Sequence, residues 1–181
     1  MVSDDRSPRT SVLGTGGFPP PTLAENFDDV IGVRAILSVT GPDSLAVDRE
    51  IEEALAERTG AARGVVPVWV RPQEPGGRPD LVRALYSALG LGHHRTQPRT
   101  LSAAEDLIAA ELRRTGPLLI VSGAHVLGTE ALYLLYRMWS VGVPQGFPLV
   151  LAGDERLGRV LWRRRLASLD SCVYVRHRLS A

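Results

Sequence analysis

From Val33 onward, short apolar runs alternate with segments whose apolar residues recur every three or four positions. The runs are Val33 to Thr40, Val65 to Arg71, Leu118 to Ser122, Phe147 to Ala152 and Cys172 to Val175. Apolar runs of this length separated by amphipathic segments predict a parallel sheet covered by helices. The expected fold class is α/β: a three-layer sandwich with a five-stranded, mainly parallel sheet and helices on both faces. Pro67 has no N–H to give to a ladder, so the second strand is expected at a sheet edge.

The intervening periodicities predict helices over Leu45 to Arg58 and Asp80 to Leu89, the latter stopped by Gly90. A third helix is announced by Ser102 with Glu105 three residues on, a capping-box spacing, and stopped by Gly116-Pro117. A fourth, Thr129 to Trp139, is apolar along one side and should be well buried. A fifth is expected as one continuous helix from Glu155 to Ser168, with Leu157, Val160, Leu161 and Ala167 facing the core. Residues 1 to 21 are rich in Ser, Pro, Gly and charge without apolar period, and are expected to be disordered. The tail is taken to run to residue 30, and the domain from 31 to 181.

Composition narrows the chemistry. All 21 basic residues are arginine, against 20 acidic ones, and lysine is absent. A Schiff base, a lysine general base and the phosphate-gripping lysine of a P-loop are therefore excluded, because arginine's rigid fork does not replace a compact ammonium. With 181 residues and 44% apolar content the chain suits one domain with a sizeable core, and a second is not expected. Cys172 stands alone, so no internal disulfide forms. No stretch approaches about 18 consecutive apolar residues and the N-terminus lacks a signal-peptide pattern, so the expected setting is cytoplasmic, with no membrane partner.

The segment Ala35 to Leu55 is a strand, a glycine-started loop and a helix, the context in which a P-loop has the form G-x-x-x-x-G-K-[ST]. Gly41 fits the first glycine, while Ala46, Val47 and Asp48 occupy the places of the second glycine, the lysine and the hydroxyl residue. Ala46 adds a Cβ, Val47 removes the cation, and Asp48 puts a carboxylate where a neutral Mg²⁺ ligand belongs. At about 4 Å, that charge opposes a phosphate charge by roughly 4 kcal/mol at an effective dielectric near 20. Triphosphate binding in the usual mode is expected to be severely weakened. Restoring all three residues is expected to raise nucleotide affinity if they are the main obstacle. The helix end still attracts anions, and Asp43, Asp48 and Glu50 are expected to take the phosphate's place there.

The stretch LLIVSGAHVLGTEALYLL, Leu118 to Leu135, resembles the Walker B segment of AAA+ ATPases, with Ser122 and Gly123 at the Asp-Glu positions that organise Mg²⁺ and activate water. Together with the Gly41 unit, FPLVLAGDERLGRVL and the following RRRLAS, this resembles the AAA+ ATPases of the TniB and ExeA kind over roughly residues 33 to 178. The resemblance implies a P-loop NTPase-like fold with the second strand at an edge. It makes Asp154 the nearest match to the sensor-1 residue, where Thr or Asn is expected, and Arg163, Arg164 and Arg165 candidate arginine fingers. The family's small helical lid is expected to be lacking, because the sequence ends at Ala181.

Arg156, Arg159 and Arg163 recur at i, i+3 and i+7 with Arg164 and Arg165 beside them, and residues 155 to 181 hold seven arginines against Glu155 and Asp170. Such a face suits phosphates, an acidic partner helix, or solvent. His93 and His94 lie in a loop without further ligands, and no metal site is expected. His125 near Ser122 lacks an oriented third group and a G-x-S-x-G elbow for nucleophilic chemistry. Trp69, Trp139 and Trp162 are taken as core or interface anchors rather than stacking platforms, being widely separated and without an RNA-binding motif.

These features lead to a catalytically inactive AAA+-like domain, a regulatory or scaffolding module without cofactor. Its expected partner is a protein, itself or an active AAA+ ATPase, with nucleic acid reached through that partner. Two alternatives stay open: a nucleotide-binding protein with a non-standard pocket, and a DNA-binding accessory protein using the basic C-terminal helix.

Overall fold

A computed structural model describes residues 20–58, 64–93, 98–141 and 146–179. The strands are β1 (Ile36–Gly41), β2 (Pro67–Val70), β3 (Leu118–Val121), β4 (Leu149–Asp154) and β5 (Val173–Arg178). The helices are α1 (Leu23–Val33), α2 (Ser44–Glu57), α3 (Arg78–Ala88), α4 (Leu101–Thr115), α5 (Thr129–Val141), α6 (Arg156–Leu161) and α7 (Ala167–Cys172). The sheet order is β2-β3-β4-β1-β5 and every pairing is parallel. Pro67 lies in an edge strand, as its missing N–H requires.

Alternation along the strands divides the core into two faces. Leu37, Val39, Leu118, Ile120, Val150 and Ala152 pack with residues of α1 and α2. Ile36, Leu119, Val121, Leu149 and Leu151 pack with residues of α3, α4, α5 and α7. The central strands β1, β3 and β4 are thus covered on both sides, which is why they are apolar at nearly every position.

Three expectations need correction. Residues 23 to 30, placed in the tail by sequence, form most of α1, whose Leu23, Phe27, Val30 and Ile31 are buried. Its start carries a complete capping box: the Thr22 side chain accepts from the Glu25 N–H at 3.2 Å, and Glu25 accepts from the Thr22 N–H at 2.7 Å. Among the described residues the first helix is therefore capped at Thr22, and residues 1–19 lie outside the described residues.

The N-cap of α4 is Thr100 rather than Ser102, with the Thr100 hydroxyl accepting from the Ala103 N–H. Glu105 is withdrawn from capping because Arg78 holds it in a two-pronged pair at 2.7 and 2.8 Å, joining α3 to α4. The third correction concerns the expected continuous helix from Glu155 to Ser168. It ends at Leu161, passes through a 3₁₀ turn at Arg164–Leu166 and resumes as α7. The reason is phase: nine residues of unbroken helix would set Leu166 about 180° from Leu157. Extended backbone at Arg163, with ψ 135°, returns Leu166 and Leu169 to the core, and Ala167 is left exposed.

Candidate functional site

Gly41, Ser122 and Asp154 end or follow β1, β3 and β4, three strands adjacent in the sheet, with Gly41 opposite Asp154 in register. The carboxyl ends of parallel strands are where open α/β sheets hold ligands. The sequence reading brought its nucleotide-loop positions to this rim, and the structure gathers them there in a different arrangement.

Helix α2 starts only three residues after Gly41. Its N-cap is Asp43, whose Oδ1 accepts from the Ala46 N–H at 2.8 Å, so a carboxylate does occupy the helix end. Ala46, Val47 and Asp48 already lie within the helix rather than in a loop ahead of it. Val47 is fully buried in the core beside Ile51 and Leu37. A Cβ on Gly41 would stand 2.8 Å from the Val47 Cγ2 methyl, so this glycine makes room for valine packing.

Asp48 is 9% exposed and points across to the end of β3, away from the helix end where sequence placed it. The Ser122 hydroxyl donates to its Oδ2 at 2.8 Å, a buried bond between residues 74 apart in sequence. The Arg71 guanidinium approaches the same oxygen at 3.3 Å and stands 5.5 Å from the Trp69 ring centroid. The carboxylate's other oxygen, Oδ1, is buried without a hydrogen-bond partner among the described residues. Sequence reasoning missed Arg71, whose one signal was its place just beyond an edge strand. Ser122 is itself anchored, its N–H donating to the Val70 carbonyl. Gly123 has φ +69° and opens the 3₁₀ turn Ala124–Val126, a left-handed position that favours glycine.

That turn sets His125 against β4. The Asp154 N–H donates to His125 Nδ1 at 3.3 Å, which assigns the ring proton to Nε2, 3.5 Å from Asp154 Oδ2. A Cβ at Gly153 would meet Nδ1 at 2.8 Å, so the glycine admits the ring. Burial pushes the His125 pKa down, outweighing the pull of the Asp154 carboxylate. Burial by itself would raise Asp154, but bonds from the Arg156 side chain and backbone, together with His125, hold its carboxyl below the usual range. Asp154, the sensor-1-like position, is thus closed by its neighbour: Arg156 binds Oδ1 through its N–H at 2.9 Å and Oδ2 through Nε at 2.8 Å.

Arg156 is consequently engaged within its own chain. Arg159, Arg163, Arg164 and Arg165 are exposed, and among the described residues no hydrogen bond or ion pair joins them to the Asp48–Ser122 or His125–Asp154 groups. His94 lies outside the described residues. Among those described, no group of three or more His, Cys, Asp or Glu is placed to hold a metal ion. No helix among them is long and apolar enough to cross a membrane.

Val47 is thus a core residue, and the Asp48 and Ser122 side chains are bonded to each other.

No family model matches the sequence, and no curated protein matches it. Solved structures do. Cdc6p from Pyrobaculum aerophilum is similar with a TM-score of 0.62 at 12% identity, over 85% of this chain and 42% of that one. The Drosophila ORC structure, bound to AT-rich DNA and Cdc6, is similar with a TM-score of 0.50 at 16% identity, over 85% of this chain and 56% of that one. The likeness shows the fold, a parallel α/β three-layer architecture, and this chain spans about half the length of those proteins.

Proposed function

We propose that this chain is an AAA+-like module without ATP hydrolysis, acting as a regulatory or scaffolding partner of another protein within a DNA-associated complex. The observation that carries the reading is the buried Ser122–Asp48 hydrogen bond. In a working P-loop enzyme a hydroxyl on the helix and an acid on the strand hold Mg²⁺ between them. Here the acid is on the helix and the hydroxyl on the strand. They bond to each other, with Arg71 as the nearby cation. Both Walker motifs are read as degenerate on this ground, and the TniB and ExeA likeness belongs to the same reading.

The partner is a protein, either a second copy or an active AAA+ ATPase. The DNA setting is carried over from one neighbour, which is bound to AT-rich DNA and Cdc6. Calorimetry with ATP and ADP, with and without Mg²⁺, tests the loss of nucleotide chemistry. The expected result is no binding heat at micromolar nucleotide, and saturable micromolar binding overturns the proposal in favour of a nucleotide-binding protein with a non-standard pocket.

A further inference from the structure

Trp162 ends α6 with 76% of its surface exposed, outside the core that was one of its two expected places. Leu161 and Leu166 on either side are buried, and this pins the segment so that the four residues between them face outward. Those four are Trp162, Arg163, Arg164 and Arg165, and all are exposed. Arg159 stands three residues before Trp162 on α6, the spacing that places helical side chains as neighbours.

Among the described residues, the nearby carboxylates are taken by other arginines. Asp154 is held by Arg156, Glu155 by Arg178 and Asp170 by Arg176. Among the described residues, Arg159, Arg163, Arg164 and Arg165 have no carboxylate within ion-pair distance, leaving four exposed guanidinium groups within three residues of one exposed indole in sequence.

We propose that this surface binds single-stranded nucleic acid. Guanidinium forks match phosphate oxygens two at a time. An indole projecting from the surface supplies a flat face on which an unpaired base stacks, the combination that serves sequence-tolerant single-strand binding. A duplex offers its phosphates to the arginines but keeps its base faces stacked within the helix. An acidic protein segment satisfies the arginines and leaves the indole without a flat partner. The inference needs no ATP chemistry, so it stands or falls independently of the function proposed above.

The test uses the full chain and a fluorescein-labelled oligothymidylate of about ten nucleotides, within the usual site sizes for such surfaces. Anisotropy is expected to rise on binding. The plot of log affinity against log salt is expected to have a slope of about −3, near −0.7 for each of four neutralised phosphates. Replacing Trp162 by Ala should weaken binding about 5- to 150-fold without changing that slope, and Trp162→Phe should retain most of the affinity. Replacing Arg163, Arg164 and Arg165 together by Ser should flatten the slope by about 2. All of these side chains are exposed, and unchanged circular dichroism melting confirms that the variants fold. The proposal is overturned by no binding, by equal affinity for a duplex of the same length, by indifference to Trp162→Ala, or by equally effective competition from polyglutamate.

Discussion

Ser122 and Asp48 form one buried hydrogen bond, 2.8 Å from Oγ to Oδ2, at the point where β3 ends against α2. Losing the hydroxyl leaves a buried carboxylate with a further unpaired oxygen beside one already without a partner. Arg71 does little to relieve this, because it is 62% exposed and solvent screens it. Ser122→Ala is expected to cost about 1–3 kcal/mol in urea unfolding. Combining it with Asp48→Ala should cost less than the sum of the two single changes, since the double variant removes both ends of the pair. Strict additivity in that cycle would show that the bond has no energetic role.

Helix α2 begins at Ser44, three residues before Val47, so under the proposed reading the backbone as well as residue identity opposes nucleotide binding. The combined change Ala46→Gly, Val47→Lys and Asp48→Thr is accordingly expected to gain no ATP affinity, in contrast to the expectation from sequence. It should also lower the melting temperature sharply, because position 47 is fully buried and an ammonium there has no partner. A folded triple variant that binds ATP in calorimetry would show that the three side chains alone closed the site.

The N-terminal boundary of the folded unit follows from α1. Phe27 is fully buried and packs with Leu37, Val39 and Ile51 across α2 and the sheet. Phe27→Ala is expected to destabilise the chain by about 3–5 kcal/mol. A version beginning at residue 31 should lack cooperative thermal unfolding, whereas one beginning at residue 20 should melt like the full chain.

The contrast between α1 and the strands explains what the sequence revealed. The inner strands declared themselves because burial on both faces demands unbroken apolar runs, and Pro67 betrayed its edge by chemistry alone. Thr22 and Glu25 carried the same capping signal that was sought at Ser102, and Leu23, Phe27, Val30 and Ile31 carried the period. They were obscured by the proline-rich stretch before them and by Asn26, Asp28 and Asp29 among them. The break at Arg163 was written in the phase between Leu157 and Leu166, which a count of arginines on one face does not register. At the candidate site, each departure from the nucleotide motifs was visible singly. That two of them bond to each other was not, because periodicity reports which way a residue faces and never what it meets 74 positions away.

Acid sensitivity follows from two partly buried imidazoles. His125 packs between Gly153 and the Asp154 backbone, with Asp154, Arg156 and Glu74 the charges acting on it. His177 accepts from the Asn26 side chain at 2.9 Å, with Glu50 the charge acting on it. Burial is the largest influence on both and lowers both pKa values, so protons bind more readily to the unfolded chain. A folded pKa below the unfolded one means that stability is intact above the unfolded value, near pH 6.5, and falls as pH drops towards the folded pKa. The lowered Asp154 carboxyl adds a loss of the same sign at more acidic pH. The melting temperature should therefore hold between pH 7 and 8 and decline below about 6.5. Replacing His177 by Gln keeps a polar partner for Asn26 without a titrating group, and should reduce the decline between pH 6.5 and 5 while leaving the higher range unchanged. A melting temperature that rises on acidification through this range would contradict the lowered pKa of both rings.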